Sequence, residues 1–132
     1  MDVQDDNRMI QEIYRNEPWK MLIGCIMLNQ TSNKQVRPVI KEFFEKWPNP
    51  ISVLKAKTED MVAVLRPLGF YNVRADRIKH FSDDWIHKVG WKKVSELRGI
   101  GKYAEDSYEI FINGNKNVNP TDKVLIRYLD EH

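Results

Sequence analysis

Residues 97–111 read LRGIGKYAEDSYEIF, and this stretch decides the fold. Two glycines flank a single isoleucine, a basic residue stands on either side, and a run with apolar residues at helical spacing follows. Glycine lacks a Cβ atom and adopts backbone conformations that other residues avoid, so Gly99 and Gly101 permit a tight turn with positive φ. The pattern predicts a helix, a glycine hairpin and a second helix over about residues 92–112.

The hairpin has two interpretations that the local pattern leaves open. Its amides and the N-terminus of the following helix suit an anion, because free N–H groups and the helix dipole both favour negative charge. Arg98 and Lys102 add positive charge, so a nucleic-acid phosphate fits this turn. Alternatively, the glycines only make a corner between two helices and Ile100 fills the core.

Helical periodicity extends over the rest of the chain, which predicts an all-α fold of about eight to ten helices. Pro38 is compatible with its helix only in the first turn, and Ser32 or Asn33 is expected to cap that helix. Pro67 and Gly69 are expected to end one helix and Asn72 to cap the next, while Pro120 suits the start of the last. The helices are predicted within residues 7–16, 17–29 (buried and central), 33–47, 51–57, 58–66, 72–88, 91–97, 102–112 and 120–132.

Composition bounds the class of protein. The chain has 132 residues, 42% of them hydrophobic, which predicts a single globular domain spanning residues 1–132. The net charge of +2 does not itself announce a nucleic-acid partner, although basic residues cluster at 72–80, 91–93 and 98–102. Acidic residues gather at 1–6 and 81–84. The basic run Arg74, Arg77, Lys79 and His80 fits either a DNA backbone or a solvated helix face.

Cys25 is the one cysteine, and it lies in an apolar run that predicts a buried, inert thiol. A single cysteine excludes an internal disulfide, and the histidines lack the spacing of a transition-metal site. No apolar run approaches the roughly 20 residues of a membrane span, and no signal peptide is expected.

LRGIGKY, followed about twenty residues later by NPTD, resembles the helix–hairpin–helix, Gly/Pro-rich loop and aspartate of base-excision DNA glycosylases. Residues 17–32, 64–83 and 97–111 are similar to the glycosylase domain of the methyl-CpG-binding-domain mismatch thymine/uracil glycosylases. The resemblance covers nearly the whole chain. It implies two helical subdomains with a DNA-binding cleft between them, and a loop ending in the catalytic aspartate at residues 113–122.

The resemblance assigns catalysis to Asp122, and the chemistry suits a carboxylate. Cleavage of an N-glycosidic bond develops positive charge on the sugar, which a carboxylate stabilises while it orients or deprotonates a water. From the residues alone, the favoured interpretation of Asp122 is a first-turn aspartate with no catalytic role. Tyr103 occupies the position where related bifunctional glycosylases carry a lysine, and a phenol cannot form a Schiff base. Lys102, about 100° away around the helix, is expected to face phosphate rather than the pocket.

The remaining site residues are implied by the resemblance alone. Ile10, Gln11 and Leu28 would line the base pocket with Tyr103, and Gln11 would hydrogen-bond a flipped pyrimidine. Gln30 would fill the gap left by that base, although close members of the family carry arginine there. Phe70 would be an apolar wedge beside the estranged base. Otherwise Ile10, Leu28 and Phe70 would be buried core, and Gln11 a solvated surface residue. The DNA-binding set is Gln30, Phe70, Arg98, Gly99, Ile100, Gly101 and Lys102.

The expected function is a monofunctional glycosylase that flips uracil or thymine opposite guanine out of duplex DNA and leaves an abasic site. No cofactor is expected: one cysteine cannot hold an iron–sulfur cluster, while a monovalent cation at the hairpin carbonyls is left open. The expected partner is double-stranded DNA with a G·U or G·T mismatch, the expected state a monomer, and the expected location the nucleus. The alternatives are a non-catalytic helix–hairpin–helix DNA-binding module and a protein-interaction helical bundle.

Overall fold

The computed structural model describes residues 6–132, so the first five residues of the acidic N-terminal stretch lie outside the described part. Within that part every regular element is helical, which confirms the all-α prediction. Two short 3-10 turns, Arg66–Leu68 and Val94–Glu96, accompany the α-helices. The α-helices are α1 (Ile10–Ile13), α2 (Pro18–Leu28), α3 (Asn33–Lys46), α4 (Pro50–Lys55), α5 (Thr58–Leu65), α6 (Tyr71–His87), α7 (Lys102–Phe111) and α8 (Lys123–Glu131).

Helix α2 is the centre of the fold, as its nearly continuous apolar sequence predicts. All of its residues from Met21 to Leu28 are buried. It packs against α1, α3, α6 and α7, which pass around it on several sides. The crossing with α1 is close, because a Cβ atom on Gly24 would lie 2.5 Å from Cγ2 of Ile10. A side chain at position 24 would therefore force these two helices apart.

The helices form two groups that meet at α2. Helices α4 and α5 pack on α6, and α3 packs on α5, while α1 and α7 contact each other on the other side. Because α2 touches both α6 and α7, the surface between these two helices lies beside its C-terminal half. Within residues 6–132, no helix combines the length and the apolar character that crossing a bilayer requires.

Two predictions at helix starts are wrong. Pro38 lies in the second turn of α3 rather than the first, since Ser32 caps the helix and Asn33 begins it. The missing proline N–H costs a backbone hydrogen bond, but the helix is held by a buried face that contains Val36, Val39, Ile40 and Phe43. Asn72 is not a cap, because α6 begins at Tyr71 after a left-handed Phe70.

Three other boundaries differ from the predicted ones. The first helix is only one turn, Ile10–Ile13, within the predicted 7–16. The segment before the hairpin forms a 3-10 turn, Val94–Glu96, instead of a helix. The last helix begins at Lys123 and not at Pro120, because the side chain of Asp122 caps it.

Candidate functional site

The glycine hairpin is docked against the backbone of α6. Gly99 has φ +85°, as predicted, whereas Gly101 is extended with φ −101°, so only one of the two glycines uses the left-handed region. A Cβ atom on Gly99 would lie 3.0 Å from the carbonyl oxygen of Arg77 on α6. Ile100 is buried and joins the core. The interpretation of Ile100 as a core residue is therefore confirmed, whereas anion binding stays a prediction for a backbone that is exposed at Gly99 and Gly101.

Arg98 fixes the other side of the hairpin to α6. Its backbone N–H donates to Oδ2 of Asp84 at 2.8 Å, and its Nη2 donates to Oδ1 of Asp84 at 2.9 Å and to Asp83 at 3.1 Å. The hydrogen bonds from the Arg98 side chain lower the pKa of the Asp84 carboxyl. The expectation that Arg98 contacts a phosphate stays a prediction, and such a contact would compete with these two carboxylates.

A cleft of about 490 Å³ opens between α2, α6 and the hairpin. The N-terminus of α7 faces this cleft, and no side chain caps it at Gly101. The first N–H groups of a helix have no partner within the helix, so such an uncapped end presents free donors and the positive end of the helix dipole. An anion in the cleft would therefore meet backbone donors. The cleft is lined by Cys25, Ile26, Asn29, Arg77, Gly99, Ile100, Gly101, Lys102, Tyr103 and Ala104.

Lys102 joins α7 to the loop that precedes Asp122. Its Nζ donates to Oδ2 of Asp106 at 2.8 Å and to the carbonyl oxygen of Asn119 at 3.0 Å. The side chain of Asp106 is almost buried, whereas about half of the Lys102 side chain is exposed. Lys102 thus both lines the cleft and holds the loop of residues 113–122 against α7. Its charge is partly neutralised before any phosphate binds.

Gln11 and Tyr103 are brought together although 92 residues separate them. Gln11 is fully buried, and its Nε2 donates to the hydroxyl of Tyr103 at 2.6 Å and to that of Ser107 at 3.2 Å. Its Oε1 is buried without a hydrogen-bond partner. The interpretation of Gln11 as a solvated surface residue is therefore wrong. An unpaired buried acceptor is costly and uncommon, so this amide differs from an ordinary core residue.

Tyr103 stands between this buried amide and the cleft. Burial raises the pKa of its phenol, and the carboxylate of Asp122 raises it further. The phenol therefore stays protonated at neutral pH and acts as a neutral hydrogen-bonding group. It also lines the cleft, so Tyr103 separates Gln11 from solvent.

The other two residues of the predicted base pocket lie in the core. Ile10 is fully buried against Gly24, and Leu28 is 6% exposed. Neither lines the cleft in this structure. Cys25 does line the cleft, yet it is buried, as predicted, and burial raises the pKa of its thiol to about 12. A thiol in this state is a poor nucleophile.

Asp122 is the N-cap of α8. Its Oδ2 accepts hydrogen bonds from the backbone N–H groups of Val124 and Leu125, both at 3.0 Å. Among the described residues, no donor contacts Oδ1. The carboxylate is only half-buried, and it is close enough to Tyr103 to affect the pKa of that phenol. One oxygen is thus fixed by the helix, and the other is available to a water or a sugar.

Gln30 and Phe70 form a second feature on the same side of the molecule. They are the two non-glycine residues with positive φ in the described part, at +62° and +45°. Both are exposed, and both border a cavity of about 140 Å³. The Phe70 side chain is 65% exposed, so the interpretation of Phe70 as core is wrong. An exposed aromatic ring on a left-handed backbone is an uncommon combination.

Sequence reasoning left Arg74 and Arg77 open between a contact with the DNA backbone and a solvated helix face. Arg74 is buried rather than solvated, and helical phase gives the signal: positions 74, 78 and 81 share one face, on which Ile78 and Phe81 are core residues. Arg77 lines both cavities, and no single residue pattern indicated that. Within residues 6–132, no group of three or more His, Cys, Asp or Glu side chains is arranged to hold a metal ion.

Comparison with known proteins places these features in a family. Residues 23–131 match the family model described as the HhH-GPD superfamily base excision DNA repair protein. The Methyl-CpG-binding domain protein 4-like protein of Arabidopsis thaliana is 36% identical over 123 residues, which cover 92% of this chain and 27% of that protein. The Thymine/uracil-DNA glycosylase of Pyrobaculum aerophilum is 27% identical over 121 residues, covering 86% of this chain and 52% of its own length.

A solved structure agrees with this placement. The structure of a thermostable thymine-DNA glycosylase has a TM-score of 0.74 at 21% identity and covers 96% of this chain and 70% of its own. The resemblance inferred from residues 17–32, 64–83 and 97–111 is therefore confirmed. This chain spans from about a quarter to about half of the length of these curated relatives.

Proposed function

Because the chain belongs to the HhH-GPD superfamily of base excision DNA repair proteins, we propose that it is a DNA glycosylase. It hydrolyses the N-glycosidic bond of uracil or thymine opposite guanine in duplex DNA and leaves an abasic site. The observation that carries this proposal is the state of Asp122, whose Oδ2 is fixed by two backbone N–H groups while Oδ1 lacks a donor among the described residues. We treat residues 1–132 as one domain, with the helix–hairpin–helix at about 92–112 and the loop and aspartate at 113–122.

The hairpin supplies the contact with the DNA backbone. A phosphate in the 490 Å³ cleft would meet the free amides at the start of α7 and the exposed Arg77. Gly101 allows close approach because a Cβ atom there would meet nothing within 4 Å and would project into open space. Such contacts position the duplex without reading its sequence.

Base flipping would involve Gln30 and Phe70, which border one small cavity and project from the surface. A reacting base is inaccessible inside the duplex, and extruding it costs a few kcal/mol, least at a mismatch. An exposed ring such as Phe70 suits insertion beside the estranged base, and Gln30 suits the vacated position. This accounts for a preference for G·U and G·T pairs. We expect uracil to be a substrate whether or not thymine is, because a pocket that admits the methyl group of thymine also admits the smaller uracil. An apolar pocket discriminates one methyl group by only about 1–3 kcal/mol.

The pocket for the flipped base would be completed by Gln11. The amide offers an acceptor, Oε1, that has no partner, and a donor, Nε2, that is held by Tyr103 and Ser107. Uracil and thymine each present a ring N–H beside a carbonyl, which matches an amide in this orientation. Tyr103 must move for the base to reach Gln11, so the pocket opens on binding.

The chemistry assigned to Asp122 is electrostatic and hydrolytic. Its negative charge stabilises the positive charge that develops on the sugar, and Oδ1 orients or deprotonates the attacking water. Tyr103 supplies no amine, and its protonated phenol is not a base at neutral pH. The reaction therefore ends at base removal, without strand cleavage through a Schiff base.

The remaining parts of the proposal concern cofactors, partners and location. No cofactor is required by a hydrolysis that rests on Asp122, and a monovalent cation at the hairpin carbonyls stays a prediction. The partner is mismatched double-stranded DNA and the protein acts as a monomer. A nuclear location is part of the proposal, and the likeness to the plant methyl-CpG-binding domain protein 4-like protein supports it.

A non-catalytic DNA-binding module is the second candidate, because the two capping bonds give Asp122 a structural role of its own. Asp122→Asn separates the two functions of this side chain. Asparagine caps a helix about as well as aspartate, so the free energy of unfolding should change little. The negative charge is lost, so single-turnover excision from a G·U duplex should fall by at least about 100-fold while duplex affinity is kept.

Asp130→Asn is the matched control, since Asp130 is an exposed acid on the same helix. It should leave excision unchanged. Undiminished excision in Asp122→Asn would reject the catalytic assignment, and no excision by the wild-type chain on G·U or G·T duplexes would reject the proposal that the chain is an enzyme.

Borohydride added during turnover should trap no covalent enzyme–DNA adduct, whereas a trapped adduct would show a Schiff base. Measuring duplex affinity at two salt concentrations tests the third possibility, a protein-interaction bundle. Affinity that falls steeply with salt indicates phosphate contacts, and a bundle of this kind would show no such fall.

A further inference from the structure

Arg74 is a buried guanidinium that is bonded only to carbonyl oxygens among the described residues. It is 2% exposed, and no carboxylate pairs with it in residues 6–132. Burial lowers the pKa of this group, and the charge of Arg77 lowers it further. An arginine nevertheless keeps its charge in a protein, so the surrounding oxygens must stabilise it. The acceptors are the carbonyl oxygens of Ile26 (2.9 Å), Met27 (3.3 Å), Asn29 (2.9 Å), Leu68 (3.3 Å) and Gly69 (2.9 Å).

These acceptors belong to two separate segments. Ile26 and Met27 lie in the last turn of α2, and Asn29 is its C-cap, so this group carries the negative end of the helix dipole. Leu68 and Gly69 end the 3-10 turn before α6. One planar guanidinium with five N–H donors can join both segments, whereas an ammonium group has three donors at one point. The Arg74 side chain thus joins the C-terminal end of α2 to the 3-10 turn before α6 by hydrogen bonds.

Each segment ends at an exposed left-handed residue. Gln30 follows Asn29 and Phe70 follows Gly69, and both border the 140 Å³ cavity together with Arg74. The guanidinium carbon of Arg74 lies 5.9 Å from the centre of the Phe70 ring. Left-handed residues other than glycine persist only where the surrounding structure determines them. The Arg74 bonds provide such a constraint immediately before each of the two residues.

We propose that Arg74 is a positioning residue that sets the separation of Gln30 and Phe70, so that both side chains enter duplex DNA around a single base pair. This inference rests on the proposed function, in which Gln30 fills the vacated position and Phe70 is the wedge. Arg74 itself is buried and acts through these two residues. It is therefore required for extrusion of a paired base and not for hydrolysis of a base that is already unpaired.

Arg74→Lys tests this division of labour. Single-turnover excision is measured on a G·U duplex and on the same duplex with uracil in a one-nucleotide bulge. Because misplacement by about 1 Å costs on the order of 100-fold in such sites, we expect excision from G·U to fall ~10- to 100-fold. Excision of the bulged uracil should stay within about threefold of wild type. An equal loss on both substrates would show a merely structural role, and no loss on either would overturn the proposal.

Arg37→Lys is the matched control, because the Arg37 side chain also donates to a carbonyl oxygen, that of Arg8, at 2.8 Å. It should leave both substrates unaffected. A second variant inserts one glycine between Gly69 and Phe70, which keeps all five acceptors and displaces Phe70 from its fixed position. For this insertion variant we again expect a loss of excision on the G·U duplex and not on the bulged uracil. Unchanged excision on the G·U duplex would show that the separation of Gln30 and Phe70 is unimportant, even if Arg74→Lys does not fold.

A readout that is independent of excision separates this inference from the proposed function. In the Asp122→Asn background, 2-aminopurine placed next to the uracil reports extrusion by a rise in fluorescence. We expect Arg74→Lys to abolish most of that rise, while a rise equal to that of the parent contradicts the inference. A wild-type chain that extrudes the base but does not release it would reject the proposed function and leave the positioning role intact.

Discussion

Replacement of Gly99 by alanine should destabilise the fold, and the structure gives the size of the effect. At φ +85° an alanine is strained by about 1–2 kcal/mol. Its Cβ atom would also lie 3.0 Å from the carbonyl oxygen of Arg77, which is backbone and cannot rotate away. A small shift of the hairpin relieves this contact at a further cost, so we expect a total loss of about 2–3 kcal/mol.

Gly101→Ala is the control two residues away. Gly101 has φ −101°, which alanine adopts freely, and a Cβ atom there meets nothing within 4 Å. The free energy of unfolding should therefore stay within about 1 kcal/mol of wild type, because alanine restricts the unfolded chain but suits the N-cap of α7 less well than glycine. The added methyl group points into the cleft, where it would obstruct a phosphate. Duplex affinity should consequently fall, by about 3- to 10-fold.

The assays are urea unfolding for stability and fluorescence anisotropy with a duplex that carries a non-hydrolysable uridine analogue. For a domain of this size, a loss of 2–3 kcal/mol corresponds to a decrease in Tm of roughly 6–15 °C. Gly99→Ala should lose stability and Gly101→Ala should lose affinity. A Gly99→Ala variant as stable as wild type would refute the docking of the hairpin on α6. A Gly101→Ala variant with unchanged affinity would refute close approach of DNA at this glycine.

Two further predictions concern the charges around the hairpin. Lys102→Met should reduce excision more than binding, because Nζ holds Asn119 and Asp106 and so positions the loop before the catalytic aspartate. The slope of log K against log salt should change by less than the ~0.9 expected for one phosphate contact, and a larger change would show that Lys102 is a free phosphate ligand. Asp84→Asn should lower the Tm at pH 7, because the Arg98 bonds depress the pKa of Asp84 and stabilise its charged form in the fold. That stabilisation is present above the ordinary aspartate pKa of about 3.9 and is lost as the pH falls through the lowered value. The difference in Tm from wild type should therefore narrow in calorimetry as the pH falls below about 3.9, and a constant difference would contradict this.

The helical framework could be predicted from sequence because its signals are local. The apolar spacing from Val36 to Phe43 and the long apolar run of α2 each identify a helix and its buried face. The hairpin at Gly99 was recognisable because its turn requires glycine. Helix boundaries were predicted wrongly where a single side chain sets the first residue of the helix. Asp122, for example, accepts the capping hydrogen bonds of α8, so the helix begins at Lys123 and not at Pro120.

The electrostatics of the site could not be predicted, because the partners are distant in sequence. Arg98 bonds to a carboxylate 14 residues earlier, and Lys102 bonds to a carbonyl group 17 residues later. The hairpin pattern assigned both to a phosphate, which stays a prediction, and it gave no sign that they also hold the hairpin and the loop. The exposed Phe70 was predicted only through the resemblance, since a phenylalanine is more often buried.

The ion pairs of Arg98 and Lys102 affect which groups of the cleft would bind an anion. Arg98 is neutralised by Asp83 and Asp84, and Lys102 is partly neutralised by Asp106. A phosphate in the cleft would therefore rely chiefly on backbone N–H groups at the start of α7. Unlike a flexible side chain, an amide is fixed by the fold, and its short reach demands that the ligand come close. Such a dependence on the backbone would give Gly101 a role in phosphate binding, and it is compatible with the small net charge of +2 on a domain that is proposed to bind DNA.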